Sequence, residues 1–234
     1  MSEPRHDSEK IHYRPGRLIF SGEWLNYRDN VRNIDRALAM IPAGKLLDVG
    51  CGARPFECRP GEIEWIGLDI EGNEQADFHG TAVDMPFAGE TFDAILATQV
   101  LEHIEEPQRA MHEFARVLKV GGILILSCPQ YWELHEEPRD FFRYTEYGLR
   151  YLCEKSGFEV FDLRREATGF GLVGLAVNNV IRAVGGTPTS TISKAIKAPF
   201  YLWVNLTSLV LGSIFRNERD VQGYTLLARK VKNA

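Results

Sequence analysis

The run Leu46-Leu47-Asp48-Val49-Gly50-Cys51-Gly52 joins an apolar segment, a carboxylate and two glycines. Asp69 closes a second apolar segment 21 residues after Asp48. These types suit a ligand that carries positive charge and hydroxyl groups. Glycines let the backbone come close to a ligand and take dihedrals other residues avoid, and a carboxylate at Asp69 suits hydrogen bonds to two ribose hydroxyls. A second group lies downstream of Ser127, from Pro129 to Thr145. There His135 is placed to act as a base, oriented by Asp140 or Glu137, with Tyr131, Trp132 and Tyr144 as walls. His103 joins His135 and Tyr144 as a catalytic candidate. Plainer readings stand beside these: Asp48 as a structural acid, His103 as a helix brace, and 129–145 as a solvated acidic loop.

A dinucleotide oxidoreductase would share the strand, the glycines and the later acid. Its G-x-G-x-x-G pattern needs glycine at 55, where this chain has Pro55, and proline has no N–H to offer a pyrophosphate. An acid two residues before the first glycine also suits a cationic or zwitterionic ligand better than a pyrophosphate.

The elements that must position these residues alternate. A helix is expected over 21–41, stopped by Pro42-Ala43-Gly44. Strands follow at Lys45–Val49, Glu64–Ile70, Phe92–Thr98 and Gly122–Ser127, with a helix over Pro107–Lys119 whose proline sits where its missing N–H is harmless and which Gly121-Gly122 ends. A helix over Tyr144–Lys155 precedes strands at Phe158–Leu163 and Gly223–Val231. Strands alternating with helices imply βαβ units and a parallel sheet covered on both faces.

The 234 residues carry 27 Lys plus Arg and 32 Asp plus Glu, a net charge of −5, which is not the field of a dedicated nucleic-acid binder. Cysteines at 51, 58, 128 and 153 form no metal-ligand spacing, so no metal is expected. They are too few for a disulfide scaffold, and the polar stretch 1–10 has no apolar signal core. A cytoplasmic protein is expected.

Five further blocks complete a pattern: Asp69, Thr81-Ala82-Val83-Asp84-Met85-Pro86-Phe87, Thr91-Phe92-Asp93, Val100-Leu101-Glu102-His103-Ile104 and Leu118-Lys119-Val120-Gly121-Gly122. With Leu46–Gly52 they make the chain resemble the class I S-adenosylmethionine-dependent methyltransferases, in particular the methyltransferase type 11 group, over about 40–165 and the strand from 223. The resemblance implies an α/β, Rossmann-like, doubly wound seven-stranded sheet, mostly parallel with an antiparallel last strand. It implies that Asp48, Gly50, Cys51 and Gly52 hold the methionine end of the cofactor and that Asp69 with Ile70 holds the ribose. Val83 and Asp84 would flank the adenine, and Gln99 would lie beside the methionine portion. The chain departs from the family at Arg54, often glycine there, and at Thr81, often an acid.

The segments Ala167–Ile181 and Ala198–Phe215 hold no charged residue. The organisation expected is therefore 1–39 as lead-in and helix, 40–166 plus 220–234 as the methyltransferase domain, and 167–219 as an apolar helical insert. That insert would be a cap, a dimer element or a membrane-surface element, bracketed by Arg182, Lys194, Lys197 and Arg216, and would place the protein at the inner face of a membrane in the last case. Ala97-Thr98-Gln99-Val100 stands where DNA enzymes of the family carry an Asn-Pro-Pro-Tyr type of motif. The expected function is methyl transfer, in line, from S-adenosylmethionine to a small-molecule, lipid or glycan acceptor. The alternatives are a non-catalytic cofactor-binding interaction module and, further off, an NAD-dependent oxidoreductase.

Overall fold

The computed structural model describes residues 19–41, 43–56, 63–184 and 191–231, without the side chains of 191–194. The lead-in 1–17, Pro42, Cys58, the loop 185–188 and the Lys194 side chain lie outside the described residues. In chain order the elements are α1 (Trp24–Leu38), β1 (Gly44–Val49), β2 (Ile63–Asp69), β3 (Phe78–His79), β4 (Phe92–Thr98), a 3-10 turn at Leu101–His103, α2 (Pro107–Val117), β5 (Leu118–Pro129), α3 (Glu146–Lys155), β6 (Phe158–Glu166), α4 (Phe170–Ala183), α5 (Thr191–Ile214) and β7 (Gly223–Lys230).

The sheet has seven strands in the order β3-β2-β1-β4-β5-β7-β6. β1 pairs in parallel with β2 and β4, and β4 with β5; β7 runs antiparallel between β5 and β6. This is the expected Rossmann-like architecture. Side chains alternate across a strand, so neighbouring apolar residues feed two cores. Leu46, Ala94, Leu96, Ile123 and Ile125 pack under α1 against Ile34 and Leu38. Leu47, Ile95, Ala97, Leu124 and Leu126 pack with Met111 and Phe114 of α2 and Leu149 of α3. Strands buried on both faces explain the continuous apolar runs.

Several boundaries differ from the sequence expectation: α1 is shorter than 21–41, and β5 and β6 run longer than Gly122–Ser127 and Phe158–Leu163. Two of the differences have a clear local cause. α2 ends at Val117 rather than at Gly121-Gly122, because Leu118 already pairs with Phe92 and opens β5. α3 begins at Glu146, where the Thr145 hydroxyl accepts the Gly148 N–H at 3.1 Å and caps the helix.

The apolar segments form α4 and α5 between β6 and β7. The pair is tied to the N-terminal chain by Asn205, whose side-chain N–H groups donate to Ile19 O and Ser21 O; Asn178 joins α4 to α5 by donating to Asn205 Oδ1 at 2.9 Å. Leu175, Asn178, Tyr201 and Val204 are buried, while Val173, Val177, Phe200, Trp203, Val210 and Ile214 face outward. Among the described residues no helix is long and apolar enough to cross a membrane.

Candidate active site

β1 and β2 are parallel with Val49 beside Leu68, so their carboxyl ends open at one sheet edge, where α/β proteins bind ligands. The turn after β1 is left-handed twice, at Gly50 (φ 65°) and Gly52 (φ 49°). The two glycines differ in what they face. A Cβ on Gly50 would fall well inside van der Waals contact with the Val100 side chain, whereas one on Gly52 would meet nothing within 4 Å. Packing requires the first; the second leaves room for a ligand. Arg54 is also left-handed (φ 53°), which glycine adopts without strain. Here Arg54 is held by an ion pair to Asp77 at 3.0 Å and by donating to Trp65 O at 3.0 Å.

Asp69 organises the opening. Its Oδ2 accepts the Gly52 N–H at 2.9 Å and the Asn73 side-chain N–H at 2.7 Å, and its Oδ1 accepts the Ile70 N–H at 2.8 Å. Asn73 also donates to Gly52 O at 2.9 Å. Asp48 is buried beneath and accepts the Trp65 indole N–H at 3.3 Å. Asn73, Asp77 and Trp65 escaped the sequence reading, since each acts through a contact between segments that no motif records. Cys51 is buried, and desolvation, with Asp48 and Asp69 nearby, pushes its thiol up to about 12. It therefore packs and does not react.

Val83 is half-buried against the core and Asp84 is exposed, its N–H donating to Thr81 O at 3.2 Å. This strap is fastened to α2. Glu113 accepts the Met85 N–H at 2.9 Å, and Arg116 donates to Met85 O and Phe87 O while pairing with Glu113 at 2.6 Å. That pairing holds the Glu113 carboxyl below its ordinary range. Ile70 stands 52% exposed at the end of β2. Gln99 is left-handed (φ 54°), its N–H donating to Ser127 O and its side chain to Ser127 Oγ at 3.2 Å. Since its neighbour Val100 packs on Gly50, Gln99 belongs to the same opening.

The Leu101–His103 turn continues this edge to the loop 130–145. Glu102 O accepts the Phe141 and Phe142 N–H groups, and the rings of His103 and His135 stand edge to face with centroids 4.7 Å apart. His135 Nδ1 lies 3.3 Å from Asp140 Oδ2. A hydrogen bond from Arg143 holds Asp140 well below the usual carboxylate range, so the imidazole faces a fixed anion. Tyr144 is not brought to the same surface. It is buried, its hydroxyl donates to Leu101 O at 3.0 Å, and desolvation pushes that hydroxyl up; it braces the turn that carries His103. Glu137 is exposed, and Asp140 holds the orienting position. Cys128, buried and pushed well up by desolvation, is a packing residue.

A family model described as "Methyltransferase domain" matches residues 47–126. An Encephalitozoon cuniculi protein named as a methyltransferase is 30% identical over 149 residues, covering 50% of this chain and 71% of that protein. The chain belongs to the methyltransferase-domain family. The ubiquinone biosynthesis O-methyltransferase of Alkalilimnicola ehrlichii is 25% identical over 138 residues, covering 52% of this chain and 53% of that one. Phosphoethanolamine N-methyltransferase 2 of Haemonchus contortus, solved with S-adenosyl-L-methionine, has the same fold: TM-score 0.57 at 16% identity, over 96% of this chain and 59% of that one. The chain spans about half the length of most of the curated relatives it matches. The matched span of this methyltransferase domain runs from β1 into β5 and holds the glycine turn, Asp69, the strap and Gln99; His135 and its loop lie beyond it.

The residues present fit a ribose-bearing cofactor with an amino-acid end. Three N–H groups leave part of the Asp69 lone-pair capacity free for hydroxyl donors. The space beside Gly52 admits the ligand against bare backbone, and Ile70 offers an apolar surface to a base.

Proposed function

We propose that this chain binds S-adenosylmethionine at the β1–β2 edge and transfers its methyl group to a small-molecule, lipid or glycan acceptor. The observation that carries the reading is the Asp69 carboxylate, held by Gly52 and Asn73 beside an open left-handed glycine turn. In this reading Asp48, Gly50, Cys51 and Gly52 form the methionine end of the site, with Gln99 beside it. Asp69 and Ile70 take the ribose, and Val83 and Asp84 the adenine side. The cofactor supplies a sulfonium-activated methyl and a good leaving group. The chain's work is then to align the acceptor and keep water out. His135, oriented by Asp140, accepts the proton of a hydroxyl acceptor, and His103 lines the same mouth.

A lipophilic acceptor is the form favoured. It is supported by the outward apolar residues of α4 and α5 and by relatives named for ubiquinone, demethylmenaquinone and phytyl-hydroquinone methylation. Phe200, Trp203, Val210 and Ile214 would rest on the cytoplasmic surface of a bilayer, with the exposed Arg216 at the end of the helix. The experiment is release of S-adenosylhomocysteine over an acceptor panel of hydroquinone lipids, small alcohols and glycans, with vesicle flotation in parallel. Turnover on a lipid hydroquinone and co-flotation support the reading. Tight cofactor binding with no turnover on any acceptor would favour the non-catalytic module, and absence of flotation removes the bilayer contact.

A further inference from the structure

The sequence gives no metal-ligand spacing among cysteines, yet the fold assembles a different donor set. Glu102, His103 and His135 each present one ligand atom, and the three atoms lie within 4.8 Å of one another. Glu102 is fully buried, and neither carboxylate oxygen meets a hydrogen-bond donor in good geometry. A buried carboxylate in that condition calls for a partner. Both imidazoles are already committed on one side. His103 Nδ1 lies 2.7 Å from Arg139 O, and His135 Nδ1 lies 3.2 Å from Glu133 O and 3.3 Å from Asp140 Oδ2. Oxygen acceptors at both Nδ1 atoms favour the tautomer with the proton there, which makes each Nε2 the ring's donor atom for a metal; the Glu136 carboxylate lies 4.0 Å from His103 Nε2. Metal-bound histidines are oriented in this way by the groups behind them.

We propose that Glu102, His103 and His135 bind a divalent transition metal of the zinc type. Two imidazoles and a carboxylate are a donor set that suits zinc, cobalt, nickel or iron rather than magnesium or calcium. Three protein ligands leave a position for a further oxygen ligand. The inference rests on the acceptor-side placement proposed above in one respect only: an Nε2 lone pair given to a metal is no longer a base, so the metal replaces the basic role of His135. Metal binding needs no methyl donor, and S-adenosylmethionine binding measured separately reports on the other reading.

The test is titration of the full chain, stripped with a chelator, with Co2+ and then Zn2+. It is followed by the visible d–d absorption of Co2+ and by calorimetry. One equivalent of Co2+ with absorption characteristic of tetrahedral or five-coordinate nitrogen–oxygen ligation, displaced by Zn2+, is expected. Glu102→Gln and His135→Ala should each weaken binding more than about 10-fold, and His112→Ala should leave it unchanged. His135 lies on a partly exposed loop, so its variant serves if Glu102→Gln fails to fold. Absence of a d–d spectrum, or affinity unaltered by both substitutions, overturns the proposal, whatever the outcome with S-adenosylmethionine.

Discussion

Substituting alanine at Gly50 and at Gly52 separates the two demands made of the turn. Both positions have positive φ, which costs a non-glycine residue roughly 1 kcal/mol. At Gly50 the added Cβ also drives into the Val100 side chain, and overpacking of this kind costs about 1–3 kcal/mol. Gly50→Ala should therefore lose about 2–4 kcal/mol, which for a chain of this size lowers Tm by roughly 5–15 °C. Gly52→Ala meets no atom within 4 Å and should lose only about 1 kcal/mol. Its Cβ, however, enters the space assigned to the ligand, and cofactor affinity should fall by at least about 10-fold, or 1.4 kcal/mol. Adding Val100→Ala to Gly50→Ala should return the overpacking part and leave the dihedral cost, a coupling of about 1–3 kcal/mol. Urea unfolding followed by circular dichroism reads the stabilities, and calorimetry with S-adenosylmethionine reads the affinity. Equal stability losses at the two glycines, or a Gly52→Ala variant that binds as tightly as the parent, would refute the reasoning.

Two other substitutions test the surroundings. Glu166 is buried, and desolvation raises its carboxyl from 4.5 to about 7, offset in part by hydrogen bonds from Thr225 and Asn30. At this position the folded state therefore holds a proton that the unfolded chain has released, so the contribution of Glu166 to stability should fall as pH rises from about 4.5 to 7 and level off above. Its share of the loss is roughly 3 kcal/mol at most. Glu166→Gln should remove that share in unfolding measured at pH 5 and 7.5, leaving the slope from buried Glu102, whose carboxyl desolvation pushes up to about 8. At Gly174 an added Cβ collides with Ser208 and reaches 2.9 Å from Leu25 Cδ1. Gly174→Ala should destabilise by about 1–3 kcal/mol through α4 and α5, read as a Tm shift, while S-adenosylmethionine affinity stays within twofold.

What could be read from the chain was what local chemistry dictates. Leu46–Gly52 announced a strand and turn because an apolar run, an acid and two glycines have few other uses. Six of the seven strands of the sheet followed from alternation with α2 and α3; the two-residue β3, whose side chains are exposed, has no apolar run to announce it. The departure at Arg54 becomes intelligible only in three dimensions, where the left-handed residue is secured by Asp77 and Trp65 O. Asn73 was illegible because its work is to tie Gly52 to Asp69 across the edge. Glu102 was read as part of a motif and not as a donor. Its burial depends on the loop 130–145 folding back over it, and His135 arrives beside it from 33 residues away. Tyr144 shows the reverse case: an aromatic beside charged residues reads as a site wall, but its hydroxyl is consumed by Leu101 O.

The central claim is that Asp69 and the glycine turn hold S-adenosylmethionine. Calorimetric titration of the cofactor into the parent chain and into Asp69→Asn, with folding checked by circular dichroism, tests it most directly. One site per chain is predicted, weakened about 10- to 100-fold in the variant, as expected for hydrogen bonds to a charged carboxylate. No heat from the parent chain, heat from NAD instead, or equal affinity in Asp69→Asn would contradict the account.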